Sequence, residues 1–473
     1  MGPGQPLETP SDVPWEAITA GTLIRIHARD EPYQDKWVVN TAGAADAPVI
    51  VRGVPRNGQL PTISGDGART RPELDFWNEE RAVIKIGASS VPDNDQASHI
   101  TIECLDIRGA RSDHSFTDHN GDPATYAENA AAITVEQGEH ILIRNCRLHD
   151  SGNGLFTTSL SSDVRIVGNH IHDNGNVDSF YEHNSYTESA GITFEFNHYG
   201  PLCTGCAGNN LKDRSAGTVI RYNWIENGNR QLDLVDTSHS ELAESSNYAT
   251  TFVYSNVLVE AEGEGNSQII HYGGDSGDAD RYRKGTLHLY HNTVVSTRTG
   301  NTTLVRLSTA DESIDARNNI IYAAAGGDRL AITSGTGTAT LAHNWLPDGW
   351  RESHDQLEGS VVDTGNVEGE GPGLTDLNSQ QFGLHADSMC RDAGGPLLDD
   401  VMLRHPVTSE YVSLQRGRPR LDDGSVDIGA FEYEAPRAWP RPPDTAPESA
   451  ETRDALGPRR RDTTGVHHAR PLR

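Results

Sequence analysis

Lysine is rare in this chain, and one of its four lysines lies in a segment that alternates like a β-strand. Lys212 belongs to the segment NNLKDRS and precedes Arg214 by two residues, so both side chains face the same side of the strand. A neighbouring positive charge lowers the pKa of a lysine, and partial burial lowers it further. The spacing therefore predicts that Lys212 serves as a base near neutral pH.

Other groups suited to proton transfer or to neutralising charge lie in strand-like segments before and after Lys212. They are His183, Asn184, Tyr186, Arg230, Asp233 and His271. If these segments stack, we expect one groove in which Arg230 neutralises a carboxylate and either His183 or Tyr186 donates a proton. The side chains predicted to bind substrate are Asn184, Arg214, Asp233 and His271.

This set of groups suits the cleavage of a uronic-acid-containing polysaccharide by β-elimination. That reaction needs charge neutralisation at the uronate carboxylate, a base for the neighbouring proton, and a proton donor for the departing sugar oxygen. The structural alternative is that Lys212 forms an ion pair. Its candidate partners in that case are Asp213, Asp233 and Asp236.

Two further clusters raise the question of a metal. Cys203 and Cys206 are close enough for a local disulfide or two free thiols, but no second pair and no fitting histidine spacing completes a zinc motif. The acidic turn at 275–280 could bind calcium, but a solvated acidic turn is the preferred interpretation. We therefore predict no required cofactor, with calcium as the alternative.

A repeat along the chain indicates the fold that would position these residues. An asparagine, or once a cysteine, recurs at gaps of 23 to 36 residues, followed two places later by a large apolar residue. The positions are Cys146, Asn169, Asn197, Asn223, Asn256, Asn292, Asn319 and Asn344. Each lies in a segment with a period near two, which favours strands. Stacked coils would let these amides form a hydrogen-bonded ladder.

A second set of short strand-like segments alternates with the first, including the segment of Lys212. Two or three short strands per repeat predict an all-β, right-handed parallel β-helix. A β-propeller or sandwich is the alternative, but propeller blades need ~40 residues each. We expect an N-terminal cap and first coils at 1–80, central coils with the cleft at 81–346, C-terminal coils at 347–434, and a disordered tail at 435–473.

Composition narrows the classes of partner. The formal net charge of −29 disfavours nucleic acid and acidic membrane surfaces. No apolar stretch approaches the ~18 residues of a membrane helix, and no signal peptide is visible. We predict a monomer that is secreted or periplasmic and acts on a polysaccharide. A polyanionic substrate would then be held by local cations.

Two stretches and the coil pattern together resemble bacterial right-handed β-helix carbohydrate-active proteins, nearest the chondroitinase B and alginate lyase family. The stretches are ITAGTLIRIHARDEPYQDKWVVNTAGAADAPVIVRG near the start and DDGSVDIGAFEY at 422–433. Within the second stretch, the alternation at 425–433 predicts a last strand. The resemblance covers roughly residues 15–434. It implies a strand lysine as base, matched by Lys212, and an arginine on the next coil that assists the leaving group, matched by Arg230. The calcium ligands of that family, an asparagine and two glutamates, are not matched, because CTGCAGNNL before Lys212 contains no acid.

The sequence thus predicts a polysaccharide lyase, with two alternatives. A glycoside hydrolase on the same fold would need two carboxylates ~5–9.5 Å apart, such as Asp233 with Asp236 or Glu188 with Glu195. A non-catalytic carbohydrate-binding or adhesin β-helix is the second, since fold does not settle function.

Overall fold

The chain winds into coils of three short strands, and corresponding strands of successive coils pair in parallel to form three long sheets. The computed structural model describes residues 1–93, 96–263 and 265–435. Residues Met1–Glu434 form one compact unit. The predicted right-handed parallel β-helix is confirmed.

The three sheets are named A, B and C. The strands of sheet A, in spatial order, are Leu23–His27, Val49–Val54, Ser98–Glu103, Gly138–Arg144, Ser161–Val167, Ala190–Glu195, Ala216–Arg221, Thr250–Tyr254, Gly285–Tyr290, Glu312–Arg317, Thr338–Ala342 and Ser360–Asp363. The strands of sheet B are Pro123–Thr125, Ser115–Thr117, Ala68–Thr70, Asp35–Val39, Ala82–Ile86, Ala131–Val135, Asn153–Thr157, Ser185–Thr187, Leu211–Asp213, Leu232–Leu234, Gln268–Tyr272, Thr302–Leu307 and Leu330–Gly335. The strands of sheet C are Thr62–Ser64, Asp106–Arg108, Arg147–His149, His170–His172, His198–Tyr199, Trp224–Glu226, Val257–Glu260, Thr293–Ser296, Ile320–Ala323, Trp345–Pro347 and Val367–Gly369.

Short helices and two hairpins accompany the coils. The 3-10 turns are Pro10–Asp12, Trp15–Ala17, Glu79–Arg81, Ala279–Arg281 and Gly327–Arg329, and the α-helices are Ser240–Ala243 and Asp399–Arg404. Two antiparallel hairpins follow the last coil, Leu374–Asp376 with Gln381–Leu384 and Ser409–Val412 with Arg416–Pro419. None of the helices in the described residues is long and apolar enough to cross a bilayer.

Strand alternation explains how the core is filled. In sheet A, the register aligns Ile141 with Val164 and Val164 with Ile192 in successive coils, and all three side chains are buried. Each such side chain contributes about 1.5–3 kcal/mol relative to leaving it exposed. Because the same positions repeat in every coil, one continuous apolar column fills the inside of the solenoid.

The predicted asparagine ladder is confirmed at the turn between sheets A and C. Each rung repeats the same pair of bonds: Oδ1 of Asn223 accepts from the backbone N and from Nδ2 of Asn197, both at 2.9 Å. The ladder runs through Asn169, Asn197, Asn223, Asn256, Asn292, Asn319 and Asn344 and continues to Asn366. The residue before each rung takes the left-handed conformation, for example Phe196 at φ 58° and Tyr222 at φ 57°. The segments that were predicted as single strands are therefore each broken here into two.

The ends of the chain differ from regular coils. At the N-terminus the cap contains a 3-10 turn, Trp15–Ala17, and Trp15 is fully buried, stacked on Trp37 at 4.9 Å. Regular coils end at Val367–Gly369, earlier than predicted. The prediction of a last strand at 425–433 is wrong, because this stretch forms bends that pack against the coils, with Ile428 and Ala430 buried. The predicted disordered tail lies, except for Ala435, outside the described residues.

Candidate active site

The register of sheet B aligns four of the predicted site residues in one outward-facing column, called here the cleft column. From one coil to the next, the column contains Phe156, Tyr186, Lys212, Asp233, His271 and Arg306. Neighbouring strands lie ~4.8 Å apart. Residues separated by 21 to 38 positions along the chain therefore become direct neighbours.

Lys212 is at the centre of an ion-pair network. Its Nζ donates to Asp233 Oδ2 at 2.8 Å and to Asp275 Oδ2, and only 9% of its side chain is exposed. Asp275 lies on the loop after the strand of His271, 63 residues from Lys212. Of the three ion-pair partners considered from sequence, only Asp233 is found, because Asp213 is buried beneath the column against Arg283 and Asp236 lies near Arg214.

The predicted lowering of the Lys212 pKa is wrong. Burial does lower it, but the carboxylates of Asp233 and Asp275 outweigh both burial and the charge of Arg214, so the pKa of Lys212 is raised. The same contacts lower the pKa of Asp275 and push that of Asp233 far below its usual range. At rest the lysine is charged, and whether it serves as a base stays a prediction.

Arg214 links Lys212 to Tyr186. Its Nε donates to the Tyr186 hydroxyl at 3.0 Å, and one terminal nitrogen donates to Asp275 Oδ1 at 2.8 Å. The Lys212 ammonium is 5.9 Å from the centre of the Tyr186 ring. Tyr186 thus has its oxygen anchored by a cation, and its own proton remains available to a ligand in the cavity.

His183 is less suited to donate a proton than the sequence suggested. It is buried, and its ring packs edge-on against Tyr186 at 5.3 Å. Burial, followed by the charge of Lys212, lowers the pKa of His183 to about 3, so the imidazole is neutral. Nδ1 accepts a hydrogen bond from the backbone N of Asn209 at 2.9 Å, which leaves the ring proton on Nε2.

His271 is held between a carboxylate and a hydroxyl. Nδ1 lies 2.9 Å from Asp233 Oδ1, and Nε2 lies 2.9 Å from Ser308 Oγ. Ser308 is not free to attack a substrate, because its Oγ also accepts from the backbone N of Gly274 and lies 3.1 Å from the Gly274 oxygen. A Cβ on Gly273 would lie only 2.6 Å from this Oγ. We therefore describe Ser308 as a positioning residue for His271.

Arg230 lies at the edge of the column with an unused donor. One terminal nitrogen donates to Gln268 Oε1 at 2.9 Å, while the buried Nε has no hydrogen-bond partner within the described residues. A buried donor without a partner costs about 1–3 kcal/mol. An anionic ligand that reached Nε would remove this cost.

Asn184 is not in position to bind substrate. Its side chain is fully buried inside the coil, where it donates to Asn210 Oδ1 at 2.8 Å and to the Gly200 oxygen at 2.9 Å, and accepts from Asn174. Asn184 is therefore part of an internal amide row. Asn209, on the adjacent coil, lines the cavity instead and donates to Asp233 Oδ2 at 2.7 Å.

These side chains surround an open cavity of about 650 Å³, called here the cleft. Its ionic lining consists of Lys212, Arg214, Arg230, Arg306, Asp233 and Asp275. The lining thus has a formal surplus of two positive charges, in a chain whose net charge is −29. Two exposed rings, Phe180 and Tyr181, form one wall.

The sequence analysis did not predict two residues that line the cleft, Arg306 and Asp275, as members of the site. Arg306 was not singled out, although it shares the alternation of its segment with the rest of the column. Asp275 was considered only for calcium. No spacing signal connects it to Lys212, because the contact depends on how a loop folds back over the sheet.

Neither of the two candidate metal sites, the acidic turn at 275–280 and the cysteine pair, has its side chains arranged to bind one ion. Asp275 is bound by Lys212 and Arg214, and Asp278 pairs with Arg281 at 3.3 Å. Across the described part of the chain, no three metal-binding side chains are placed to hold one ion. Cys203 and Cys206 form a disulfide.

Comparisons with known proteins return similarity of fold only. No protein-family model and no curated protein matches the chain. Solved structures that resemble it include an alginate lyase from Paenibacillus sp. str. FPU-7, with 12% identity, a TM-score of 0.34, and coverage of 74% of this chain and 93% of the other. Pectate lyase Pel9A has 11% identity, a TM-score of 0.39 and coverage of 89% and 90%. A Yersinia enterocolitica Family 28 exopolygalacturonase has 8% identity, a TM-score of 0.29 and coverage of 75% and 73%. Values this low indicate a shared architecture and carry no argument about the reaction of this chain.

Proposed function

We propose that this protein cleaves a uronic-acid-containing polysaccharide by β-elimination in the cleft. The observation that carries the proposal is the surplus of positive charge in an open cleft on a strongly acidic chain. Local cations hold a polyanion even when the rest of the surface repels it. The closer relationship to the chondroitinase B and alginate lyase family stays part of this proposal.

The cations suit neutralisation of a uronate carboxylate. Arg230 offers an unpartnered donor, and Arg306 is exposed at the far end of the column. Arginine binds carboxylates with two parallel hydrogen bonds, which fixes the orientation of the sugar as well as its charge. Neutralising the carboxylate also stabilises the negative charge that develops when the adjacent proton leaves.

Lys212 and Tyr186 suit the two proton transfers because they are neighbours on adjacent coils. A base and an acid on adjacent strands can reach the proton and the glycosidic oxygen of one sugar unit. In this assignment Tyr186 protonates the departing oxygen and Lys212 takes the proton. The structure requires one further step, since the resting lysine is charged.

Asp275 supplies that step. It accepts from both Lys212 and Arg214, and 32% of its side chain is exposed. A uronate that binds Arg214 competes with Asp275 for the guanidinium, and a carboxylate that loses a cation becomes more basic. Asp275 then takes a proton from Lys212, which leaves a neutral amine to act as the base. After elimination Lys212 keeps the proton taken from the sugar. Asp275, which is partly exposed, then releases its proton to solvent, and the Tyr186 oxygen regains one from solvent, so the protons balance.

A hydrolase is the second candidate, favoured by one observation. Asp233 and Asp275 accept from the same Nζ. They therefore place two carboxylates close together in one cleft, which is the pair of groups that a glycosidase mechanism requires. However, the pKa of both carboxyl groups is lowered, chiefly by Lys212 against burial. A neutral sugar has no carboxylate to draw Arg214 away from Asp275, so neither carboxyl group gains the proton that a general acid needs.

The test is to incubate the full chain with alginate, pectate, chondroitin, dermatan and heparan while following both ultraviolet absorbance and reducing ends. Elimination creates an unsaturated uronide, so both signals rise together. New reducing ends without absorbance would replace the lyase with the hydrolase. Neither signal on any polymer, together with binding, would leave a carbohydrate-binding protein.

The isosteric variant Asp275→Asn tests the proton relay. We expect kcat to fall at least ~10-fold, because an amide cannot take the lysine's proton. Asp278→Asn is the matched control, since Asp278 lies on the same loop but contacts Arg281 rather than Lys212. Unchanged or increased activity in Asp275→Asn would eliminate the relay.

A further inference from the structure

A second cavity adjoins the cleft across the two exposed rings. It measures about 480 Å³ and is lined by the loop 176–181 and by residues near 111–113 and 128. Phe180 and Tyr181 line both cavities. The Phe180 side chain is 63% exposed and that of Tyr181 is 79% exposed, so both rings offer free faces at the junction.

The two cavities carry opposite charge. The ionic side chains of the second cavity are Arg111, Asp113, Glu128 and Asp178. Arg111 is already occupied, since its Nε lies 3.1 Å from Asp150 Oδ1 and a terminal nitrogen donates to the Asp173 oxygen at 2.7 Å. No ion pair to lysine or arginine is found for the three carboxylates within the described residues. A polysaccharide passing from the cleft over the rings therefore moves from a positive to a negative lining.

We propose that the second cavity is a subsite for an uncharged or amino sugar of the same polysaccharide chain that occupies the cleft. The inference rests on the proposed function and deepens it. Exposed aromatic faces stack on the apolar faces of sugar rings, and the shared wall makes the two cavities one continuous path. Carboxylates would repel a second uronate there and leave a neutral sugar unaffected.

The substrate class follows from this division. A polymer in which each uronate is followed by a neutral or amino sugar satisfies both linings at once. A homopolyuronate would place a carboxylate among Asp113, Glu128 and Asp178. The structure therefore assigns a mixed polysaccharide, rather than a homopolyuronate, as the preferred substrate.

The first experiment removes the negative charge without changing shape. The triple variant Asp113→Asn, Glu128→Gln and Asp178→Asn changes only exposed side chains, and asparagine tolerates the left-handed backbone of Asp178 at φ 62°. Binding and cleavage are measured on polygalacturonate and on unsulfated chondroitin, whose uronates alternate with uncharged N-acetylhexosamine. We expect polygalacturonate to bind about fivefold to tenfold tighter than to the parent, since each exposed charge contributes only a few-fold. Binding of unsulfated chondroitin should change less than about twofold, and the difference should shrink at high salt.

The second experiment removes the rings. Phe180→Ala with Tyr181→Ala should weaken binding of both polymers by roughly fivefold to tenfold, because stacking faces are lost. Trisaccharides and longer fragments should be affected more than disaccharides, which fit in the cleft alone. Leu403→Ala is the matched control, since Leu403 is 85% exposed and lies outside both cavities.

Binding is followed by affinity electrophoresis, so the inference is tested apart from cleavage. If the chain binds but does not cleave, the proposed function fails and the ratio between the two polymers still decides the subsite. An equal response of both polymers to the triple variant would overturn the inference, as would unchanged binding in the double aromatic variant. A chain that binds neither polymer would overturn both proposals.

Discussion

The asparagine ladder and the cleft column are both stacks of one residue per coil, but they solve opposite problems. In the ladder the same side chain repeats, and each rung makes the same bonds, as between Asn223 and Asn256. In the cleft column the residue changes at every coil, from Tyr186 to Lys212 to Asp233. Repetition gives a uniform edge that satisfies its own hydrogen bonds, whereas variation leaves charges that need partners from elsewhere.

Some of the partners of the charged side chains in the cleft column come from loops outside the column. Lys212 reaches Asp275 on a loop, and His271 reaches Ser308 just after the next strand of the sheet. A rung of the ladder depends only on the two coils that flank it. A position in the cleft column depends on several segments that approach from different coils. Substitutions in the two stacks should therefore differ in which property they damage.

The largest effect is expected at Lys212. Lys212→Ala should lower kcat at least ~100-fold. It should also lower the free energy of unfolding by about 3–5 kcal/mol, because it leaves the carboxylates of Asp233 and Asp275 close together without their cation. Activity on the polymer that the parent cleaves and denaturant unfolding measure the two effects.

The variant Lys212→Arg separates the effect on catalysis from the effect on stability. It keeps the charge and most of the stability, yet activity should still be lost, since a guanidinium does not give up its proton. Near-parental activity in Lys212→Arg would show that the column needs a charge at this position rather than a base.

A substitution in the ladder should have the opposite effect to Lys212→Arg, because it should lower stability and leave activity intact. Asn223→Leu should cost about 1–3 kcal/mol of stability, because buried partners of the amide lose their hydrogen bonds. Catalytic rate at a temperature where the protein stays folded should be almost unchanged. Asn378→Leu, at an exposed position, should cost less than about 0.5 kcal/mol. Equal costs at the two positions would mean that the ladder contributes nothing specific to stability.

A smaller effect is expected from Ser308, which supports the column from outside. Ser308→Ala should lower kcat by roughly twofold to tenfold, the value of one hydrogen bond, by loosening His271. Ser308→Thr keeps the hydroxyl and should restore the rate. If Thr and Ala behave alike, the position matters for packing and not for orienting the imidazole.

The smallest effect concerns a third stack, the histidines on sheet C. His170 lies between His172, at 4.0 Å between ring centres, and His198, at 4.9 Å, with Arg147 on the preceding coil. Burial, followed by these charges, lowers the pKa of His170 to about 3. Because the unfolded chain binds the proton more readily, this histidine's contribution is fully present above pH ~6.5 and is lost as the pH falls toward 3.

The variant His170→Gln removes that contribution, so comparing it with the parent separates the effect of His170 on stability from the effects of other titrating groups. We expect the decrease in Tm between pH 7 and pH 4 to be about 1–2 °C smaller in the variant than in the parent. The carboxylates that face the neighbouring histidines, Asp106, Asp173 and Glu226, remain in both proteins. An identical decrease in both would show that His170 takes up no proton on unfolding.

The sequence alone predicted the β-helix and the ladder because a repeated residue in a repeated strand has one structural explanation. Identical positions select identical geometry, so Asn169 and Asn319 could be matched without knowing the loops between them. The same reasoning placed Tyr186, Lys212, Asp233 and His271 on neighbouring coils. It failed for Asn184, because this residue precedes the strand Ser185–Thr187, and its side-chain direction therefore does not follow the alternation of that strand.

What only the tertiary structure decided is the electrostatic state of the cleft. The sequence showed Arg214 beside Lys212 and so predicted a lowered pKa, but the loop that carries Asp275 reverses the sign. Coulomb interactions depend on distances of a few ångströms, and these distances join residues 21 and 63 positions apart. Local spacing determines which side of a strand a charge faces. The folding of loops between coils determines which charge it meets there.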